Sequence, residues 1–227
     1  VSLKCLIIVL SLLQNRMKLL VFVVLAVCVC GAFTKRSKKA DEKVKIAVYY
    51  ESLCPDSKKF ITTQLAPVWK DLRGAVKVKL VPYGKSTHEK VDGKWKFNCH
   101  HGFEECYGNK IQACILKDTH LGDSEKVDLV VCLMNQANPD KALETCLTQT
   151  GRRDEMSRVK TCADGEQGDN LLASYGDKSN ALMKPLKSVP TVVINESLEA
   201  TNQEDAVNNL KTFVCRVAIK KPEACNY

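Results

Sequence analysis

No stretch of this sequence is apolar for long enough to cross a bilayer: the run from Leu19 to Phe33 has 15 residues, short of the ~20 that a spanning helix needs. No internal repeat is present, so no repeat array is indicated. Concentrated charge is scarce as well. The chain has 34 Lys and Arg against 26 Asp and Glu, and the surplus is spread out except at Lys35, Arg36, Lys38 and Lys39, so no nucleic-acid partner is expected. With 45% apolar and 26% charged residues, neither disorder nor a collagen-like fibre fits. A length of 227 residues allows one domain or one and a half and excludes a large multidomain machine.

Cysteine, by contrast, is plentiful, with twelve in the chain. Met17-Lys18 precedes the apolar run and small residues follow at Gly31 and Ala32, the pattern of a secretory signal peptide. Residues 1–32 are therefore expected to be upstream sequence and signal peptide, 33–43 a basic N-terminal segment, and the chain to have no stable membrane anchor. Cys5, Cys28 and Cys30 leave with the leader. Nine cysteines remain: Cys54, Cys99, Cys106, Cys114, Cys132, Cys146, Cys162, Cys215 and Cys225. Secretion exposes them to oxidation, so an odd number points to an intermolecular bridge or to one free thiol.

Val44 to Tyr50 is rich in β-branched and aromatic residues and reads as a buried strand. From Ser57, the residues Phe60, Ile61, Leu65, Val68, Trp69 and Leu72 recur at helical spacing up to Gly74, a C-cap candidate, with Pro67 predicting a kink. Val76 to Pro82 alternates as a second strand, which completes a βαβ unit. Between Asn98 and Lys187 the pattern is helical, with helices expected around Lys110–Thr119, Ser124–Met134, Asp140–Thr148, Asp154–Cys162 and Gly168–Tyr175. Val189 to Asn195 returns to strand character. A closing helix carries the stripe Ala206, Val207, Leu210, Phe213, Val214 and Val217. The reading is one α/β domain that begins at 44–97, is interrupted by a small disulfide-stapled helical subdomain at 98–187 and resumes at 188–227.

Cys54 follows the first strand directly and opens the first helix, with Pro55 at the position of an N1 proline. First-turn amides favour an anion there, so Cys54 is the candidate nucleophile. Lys58 and Lys59 add positive charge and Asp56 opposes it. A two-cysteine redox motif has its second thiol three residues on. That position is Ser57, whose hydroxyl cannot form a disulfide, so release of a captured substrate has to come from another thiol. Val189-Pro190-Thr191 opens the late strand at the place where thioredoxin-like folds put a cis proline facing the reactive cysteine, and Val189 and Pro190 are the candidate substrate-binding residues. The other eight mature cysteines are expected to form four disulfides, mostly in or near the insertion, because a small helical subdomain needs staples.

Residues 99–114 read C-H-H-G-F-E-E-C-Y-G-N-K-I-Q-A-C. This resembles the hallmark of the gamma-interferon-inducible lysosomal thiol reductase (GILT) family, C-Q-H-G-x-x-E-C-x-x-N-x-x-x-x-C, at Cys99, His101, Gly102, Glu105, Cys106, Asn109 and Cys114, with His100 in place of Gln. The Y-Y-E-S-L-C ending at Cys54, the V-P-Y-G at Val81 to Gly84 and the late Val-Pro are also family-like.

The resemblance implies an α/β thioredoxin-like fold with an inserted disulfide-rich helical subdomain, 44–97 and 188–227 forming the thioredoxin-like part, and a secreted or endolysosomal thiol-disulfide oxidoreductase that reduces protein disulfides at acidic pH through Cys54. The second catalytic cysteine aligns with Ser57, which predicts weak reductase activity dependent on an external small thiol. Disulfide-bonded proteins are the expected substrates, and no cofactor is implied. The alternative is a secreted non-catalytic binding protein on the same scaffold. A zinc site drawing on Cys99, His100, His101 and Cys106 has none of the usual C-x-x-C spacing, so no metal is expected. His101 and Glu105 are read as hydrogen-bonding residues, and His88 and His120 as having no evident partner. Asn195-Glu196-Ser197 is an N-glycosylation sequon expected at a loop.

Overall fold

The computed structural model describes residues 42–136 and 139–226. The expected signal peptide and most of the expected basic segment fall outside them. Strand β1 (Val44–Tyr50) is the centre of a three-stranded sheet, parallel to β2 (Val76–Pro82) with Val44 opposite Val76, and antiparallel to β5 (Thr191–Ile194) with Ile46 opposite Ile194. Both sheet faces are covered, which is why β1 lacks a solvent-facing polar set. Val44, Ile46, Val48 and Tyr50 point into one core. Ala47 and Tyr49 point into another on the opposite face.

The βαβ crossover begins with α1 (Pro55–Phe60), passes through a π turn (Ile61–Leu65) and continues as α2 (Ala66–Leu72). Pro67 explains the π turn. A proline inside a helix lacks the N–H and crowds the carbonyl four residues back. Here the Ala66 N–H bonds to the Ile61 carbonyl, five residues back, so the helix widens where the ring enters. Gly74 follows the helix without left-handed geometry, and the Ala75 N–H closes the end on Leu72.

A hairpin lies where the sequence pattern gives no strand. Strands β3 (Thr87–Val91) and β4 (Lys94–Asn98) pair antiparallel with Val91 opposite Lys94. The two-residue turn between them is Asp92-Gly93, both at positive φ. Asp-Gly is a strong hairpin signal. The pattern is weak because T-H-E-K-V and K-W-K-F-N carry so few apolar residues; both strands are half exposed.

Five helices lie between β4 and β5: α3 (Phe103–Lys117), α4 (Asp123–Met134), α5 (Pro139–Gln149), α6 (Met156–Asp164) and α7 (Glu166–Leu182). Their own core holds Ile111, Ile115, Leu129, Leu133, Leu143, Leu147 and Val159. The same helices also cover the sheet. Val127, Val130 and Met134 of α4 enter the core on one face, and Ala113, Leu172 and Tyr175 enter the core on the other.

Among the described residues all four expected disulfides are present: Cys99–Cys106, Cys114–Cys162, Cys132–Cys146 and Cys215–Cys225. Three of them lie in the insertion. The stripe assigned to one closing helix is divided between α8 (Gln203–Asn208) and α9 (Leu210–Val217), because Asn209 leaves helical geometry at φ −136° and the Leu210 N–H turns to the Gln64 side chain at 3.3 Å. Side chains replace a further strand beside β5. Gln203 accepts the Val192 N–H at 3.0 Å and donates to the Val192 carbonyl at 2.6 Å, and Thr201 Oγ1 accepts the Ile194 N–H at 2.9 Å. An edge strand with open ladder groups is a template for aggregation. Here the side chains close it.

Candidate active site

Cys54 is the free cysteine among the described residues, and it is buried. It occupies the N-cap of α1 in extended geometry (φ −61°, ψ 123°), its carbonyl accepts the Lys58 N–H at 2.9 Å, and Pro55 takes the first helical turn. The Val189–Pro190 peptide bond is cis, as is Lys184–Pro185. Cys54 and Val189 share one apolar cluster with Tyr49, Val81, Tyr83 and Leu186. Beside them lies an open groove of about 390 Å³ between α1 and the proline turn, lined by Asp56, Lys59, Phe60, Val189, Pro190 and Gln203 among others. Cys54 and Val189 thus share a cluster, and Val189 and Pro190 share a groove with Asp56 and Lys59 of the helix that Cys54 opens. Asn195 stands apart, exposed in the turn after β5 at φ 50°, its Oδ1 accepting the Lys45 N–H at 3.0 Å.

Ser57 is fully buried, and its Oγ accepts the Glu51 N–H at 3.3 Å. Lys58 does not stand as a free charge at the mouth of the site. Its ammonium donates to the Gln136 carbonyl at 2.5 Å, and burial lowers its pKa below the ordinary lysine value.

The loop that presents Cys54 is held from outside by the residues of the 99–114 segment. Gly102, at φ 83°, caps α3, a conformation that suits glycine. The Cys99–Cys106 disulfide closes the turn in front of it. In the first two turns of α3, the Asn109 Oδ1 accepts the Ser52 N–H at 2.9 Å, and the Ser52 hydroxyl donates to the Glu105 carbonyl at 3.1 Å. The Tyr50 hydroxyl donates to Gln112 Oε1 at 2.5 Å. These bonds are buried, so each holds the loop without competition from water.

Glu51 is a site residue to which the sequence pattern assigns no role. It is fully buried, and its Oε1 accepts the Lys85 N–H at 2.7 Å. Gly84 gives it room: a Cβ there would meet Glu51 Cγ at 2.1 Å, and φ is +64°. The His100 Nδ1 stands 3.3 Å and the His101 Nδ1 3.4 Å from Glu51 Oε2. Glu105, equally buried, accepts the His101 N–H on Oε1 at 3.0 Å and lies 2.6 Å from the His101 Nδ1 with Oε2, which matches the hydrogen-bonding role expected of this pair. Glu51, His100 and His101 are the group with donors placed to take a metal ion among the described residues. Cys99 and Cys106 are joined to each other and supply no ligand. The only sequence signal for Glu51 is its place in Y-Y-E-S-L-C.

His88 has partners that the sequence does not reveal. The Tyr83 hydroxyl lies 2.6 Å from its Nδ1, Asp177 is 3.6 Å from its Nε2, and Trp95 meets it edge-on at 5.3 Å. Gly176 permits this approach of α7, since a Cβ there would meet Tyr83 at 2.6 Å and His88 at 2.7 Å. Burial raises the Tyr83 pKa well above the ordinary phenol value and pushes Tyr175 up to about 12. For His120, the backbone N–H donates to Asp118 at 2.7 Å.

Comparison with known proteins agrees with this geometry. Residues 45–150 match the family model of gamma interferon inducible lysosomal thiol reductase (GILT). The chain is 38% identical over 194 residues to a gamma-interferon-inducible lysosomal thiol reductase-like protein of Anopheles gambiae, covering 81% of this chain and 80% of that one. It is 35% identical over 215 residues to GILT-like protein 1 of Drosophila melanogaster (88% and 86% covered) and 30% identical over 203 residues to the mouse gamma-interferon-inducible lysosomal thiol reductase (88% and 77%). Among solved structures it is similar to the Chlamydia trachomatis DsbA, with a TM-score of 0.51 at 14% identity over 68% of this chain and 75% of that one. It is also similar to oxidised BdbD of Bacillus subtilis, with a TM-score of 0.51 at 16% identity over 70% and 80%. At such identities these two structures establish the thioredoxin-like fold.

Proposed function

The chain belongs to the gamma-interferon-inducible lysosomal thiol reductase family, and from that premise we propose that it is a thiol-disulfide oxidoreductase acting on protein disulfides through Cys54. The observation that carries this reading is the isolation of one thiol: among the described residues eight cysteines are paired, and the ninth caps the helix after β1 in the apolar cluster that also holds Val189, whose bond to Pro190 is cis. In the proposed reaction the Cys54 thiolate attacks one sulfur of the substrate disulfide. A mixed disulfide forms, and the other sulfur leaves as a thiolate that takes up a proton.

A Cys-x-x-Cys site resolves this intermediate internally. Ser57 has no such chemistry, and its oxygen is occupied by the Glu51 amide. An external small thiolate therefore attacks the substrate sulfur of the mixed disulfide and returns Cys54 with its electron pair. A second small thiol then clears the adduct left on the substrate, so two thiols supply the two electrons. Turnover is slow and depends on the added thiol. The groove along Asp56, Lys59, Val189 and Pro190 supports a peptide bound along α1, the helix that Cys54 opens.

Secretion or endolysosomal delivery fits the sequon at the exposed Asn195, and no helix among the described residues is long and apolar enough to cross a membrane. A reductase assay at acidic pH, with and without added small thiol, tests the proposal. Many turnovers with thiol, abolished in Cys54→Ser, are expected. One stoichiometric adduct per chain instead selects the second reading, a binding protein that traps partners, which the buried and hydrogen-bonded Ser57 favours.

A further inference from the structure

Glu51 and Glu105 are both fully buried, and among the described residues their ion pairs are with His100 and His101 alone. No lysine or arginine there is paired with either. Buried carboxylates persist when they are paired or coordinate a metal. Glu51 Oε1 is satisfied by the Lys85 amide, which leaves Oε2 facing the two imidazoles.

The geometry points to a zinc-type divalent cation site formed by Glu51, His100 and His101, with Glu105 as the carboxylate that positions His101. One donor atom from each of the three ligands lies within 4.8 Å of the others. His100 Nδ1 and Glu51 Oε2 are 3.3 Å apart, the spacing of neighbouring donors about a tetrahedral ion with bonds of ~2.0–2.2 Å. Two imidazoles and a carboxylate select a transition-type cation over calcium or magnesium, which take oxygen donors. Glu105 Oε2, 2.6 Å from the His101 Nδ1, accepts the proton of that nitrogen and leaves Nε2 as the metal donor of His101, the arrangement in which an outer carboxylate holds a ligand ring in place. Entry is from solvent, because the His100 and His101 side chains remain 49% and 32% exposed while Glu51 forms the closed floor. Three protein donors leave the fourth tetrahedral position to water or to a donor from a bound molecule. His100 is also the residue that departs from Gln in the 99–114 motif.

The test is a zinc titration followed by calorimetry at neutral pH, on the disulfide-bonded protein carrying Cys54→Ser so that the free thiol contributes nothing. One ion per chain is expected. His100→Gln, at a half-exposed position that leaves the fold intact, weakens binding at least tenfold. Glu105→Gln weakens it by roughly 10- to 100-fold, as loss of an outer carboxylate does, and His120→Gln leaves it unchanged. Cobalt in place of zinc gives the visible bands of a low-coordinate nitrogen and oxygen site without sulfur charge-transfer absorption. Absence of stoichiometric binding at micromolar zinc, or binding that His100→Gln leaves untouched, overturns the assignment.

Discussion

The Ser57 hydroxyl oxygen accepts the backbone N–H of Glu51 at 3.3 Å in a closed interior. The residue at the resolving position is thereby tied to the loop that ends at Cys54, and the same loop carries the Glu51 carboxylate to the two histidines. Ser57→Cys should raise reductase turnover and lessen its dependence on added thiol, because the resolving step becomes intramolecular and such steps reach very high effective molarities. Thiol is a poorer acceptor than hydroxyl, so the variant should lose about 1 kcal/mol of stability. Assays in both backgrounds with Cys54→Ser should show no activity. A disulfide between the new thiol and Cys54 with no substrate reduced would favour the binding-protein reading.

Asn109→Ala removes the acceptor of the Ser52 N–H inside the protein. Leaving a buried donor unpaired costs about 1–3 kcal/mol. Urea denaturation should register that loss. The alkylation rate of Cys54 should rise as its loop loosens, whereas the exposed Asn208→Ala should change neither.

Two glycines at positive φ separate strain from crowding. Gly84→Ala meets Glu51 Cγ at 2.1 Å as well as an unfavourable φ of +64°, while Gly93→Ala, at φ +76°, meets nothing within 4 Å. Gly93→Ala should cost about 1 kcal/mol, the strain of a left-handed alanine. Gly84→Ala should cost clearly more in thermal unfolding. Equal losses would mean that Glu51 can give way.

Acid should weaken one surface link. Lys211, 2.7 Å from Asp71, holds its carboxyl below the ordinary aspartate value, first through the hydrogen bond and then through its charge. A depressed folded pKa gives stability that is present above the unfolded value and is lost as pH falls through the folded one. Lys211→Met should return Asp71 to the ordinary range in a carboxyl NMR titration. The variant and parent Tm values should converge at the acid end of a pH series, and a constant difference down to that end would show that Asp71 is not the linked group.

The local elements are legible because each depends on near neighbours in the chain. V-K-I-A-V-Y-Y makes a strand, the stripe from Phe60 to Leu72 makes a helix, and the odd count of cysteines from Cys54 onward leaves one over, which its place at the helix start marks as Cys54, as the structure shows among its described residues. The hairpin at 87–98 escapes because its strands are half exposed and poor in apolar residues, and the break at Asn209 because a side chain 146 positions away from Leu210, that of Gln64, takes over the Leu210 amide.

The site divides in the same way. The sequence by itself determined the helix-opening thiol, the serine three residues on and the proline that starts the late strand, because each of these is written in adjacent residues. Only the tertiary structure decided which residues hold them. Asn109 reaches Ser52 across 57 positions and His100 reaches Glu51 across 49, and contacts at such separations are set by how α3 packs against the end of β1. Periodicity describes which face of an element is buried. It does not say which side chain on another element will meet that face, and the burial of Glu51 between Gly84 and the two histidines follows from that packing alone.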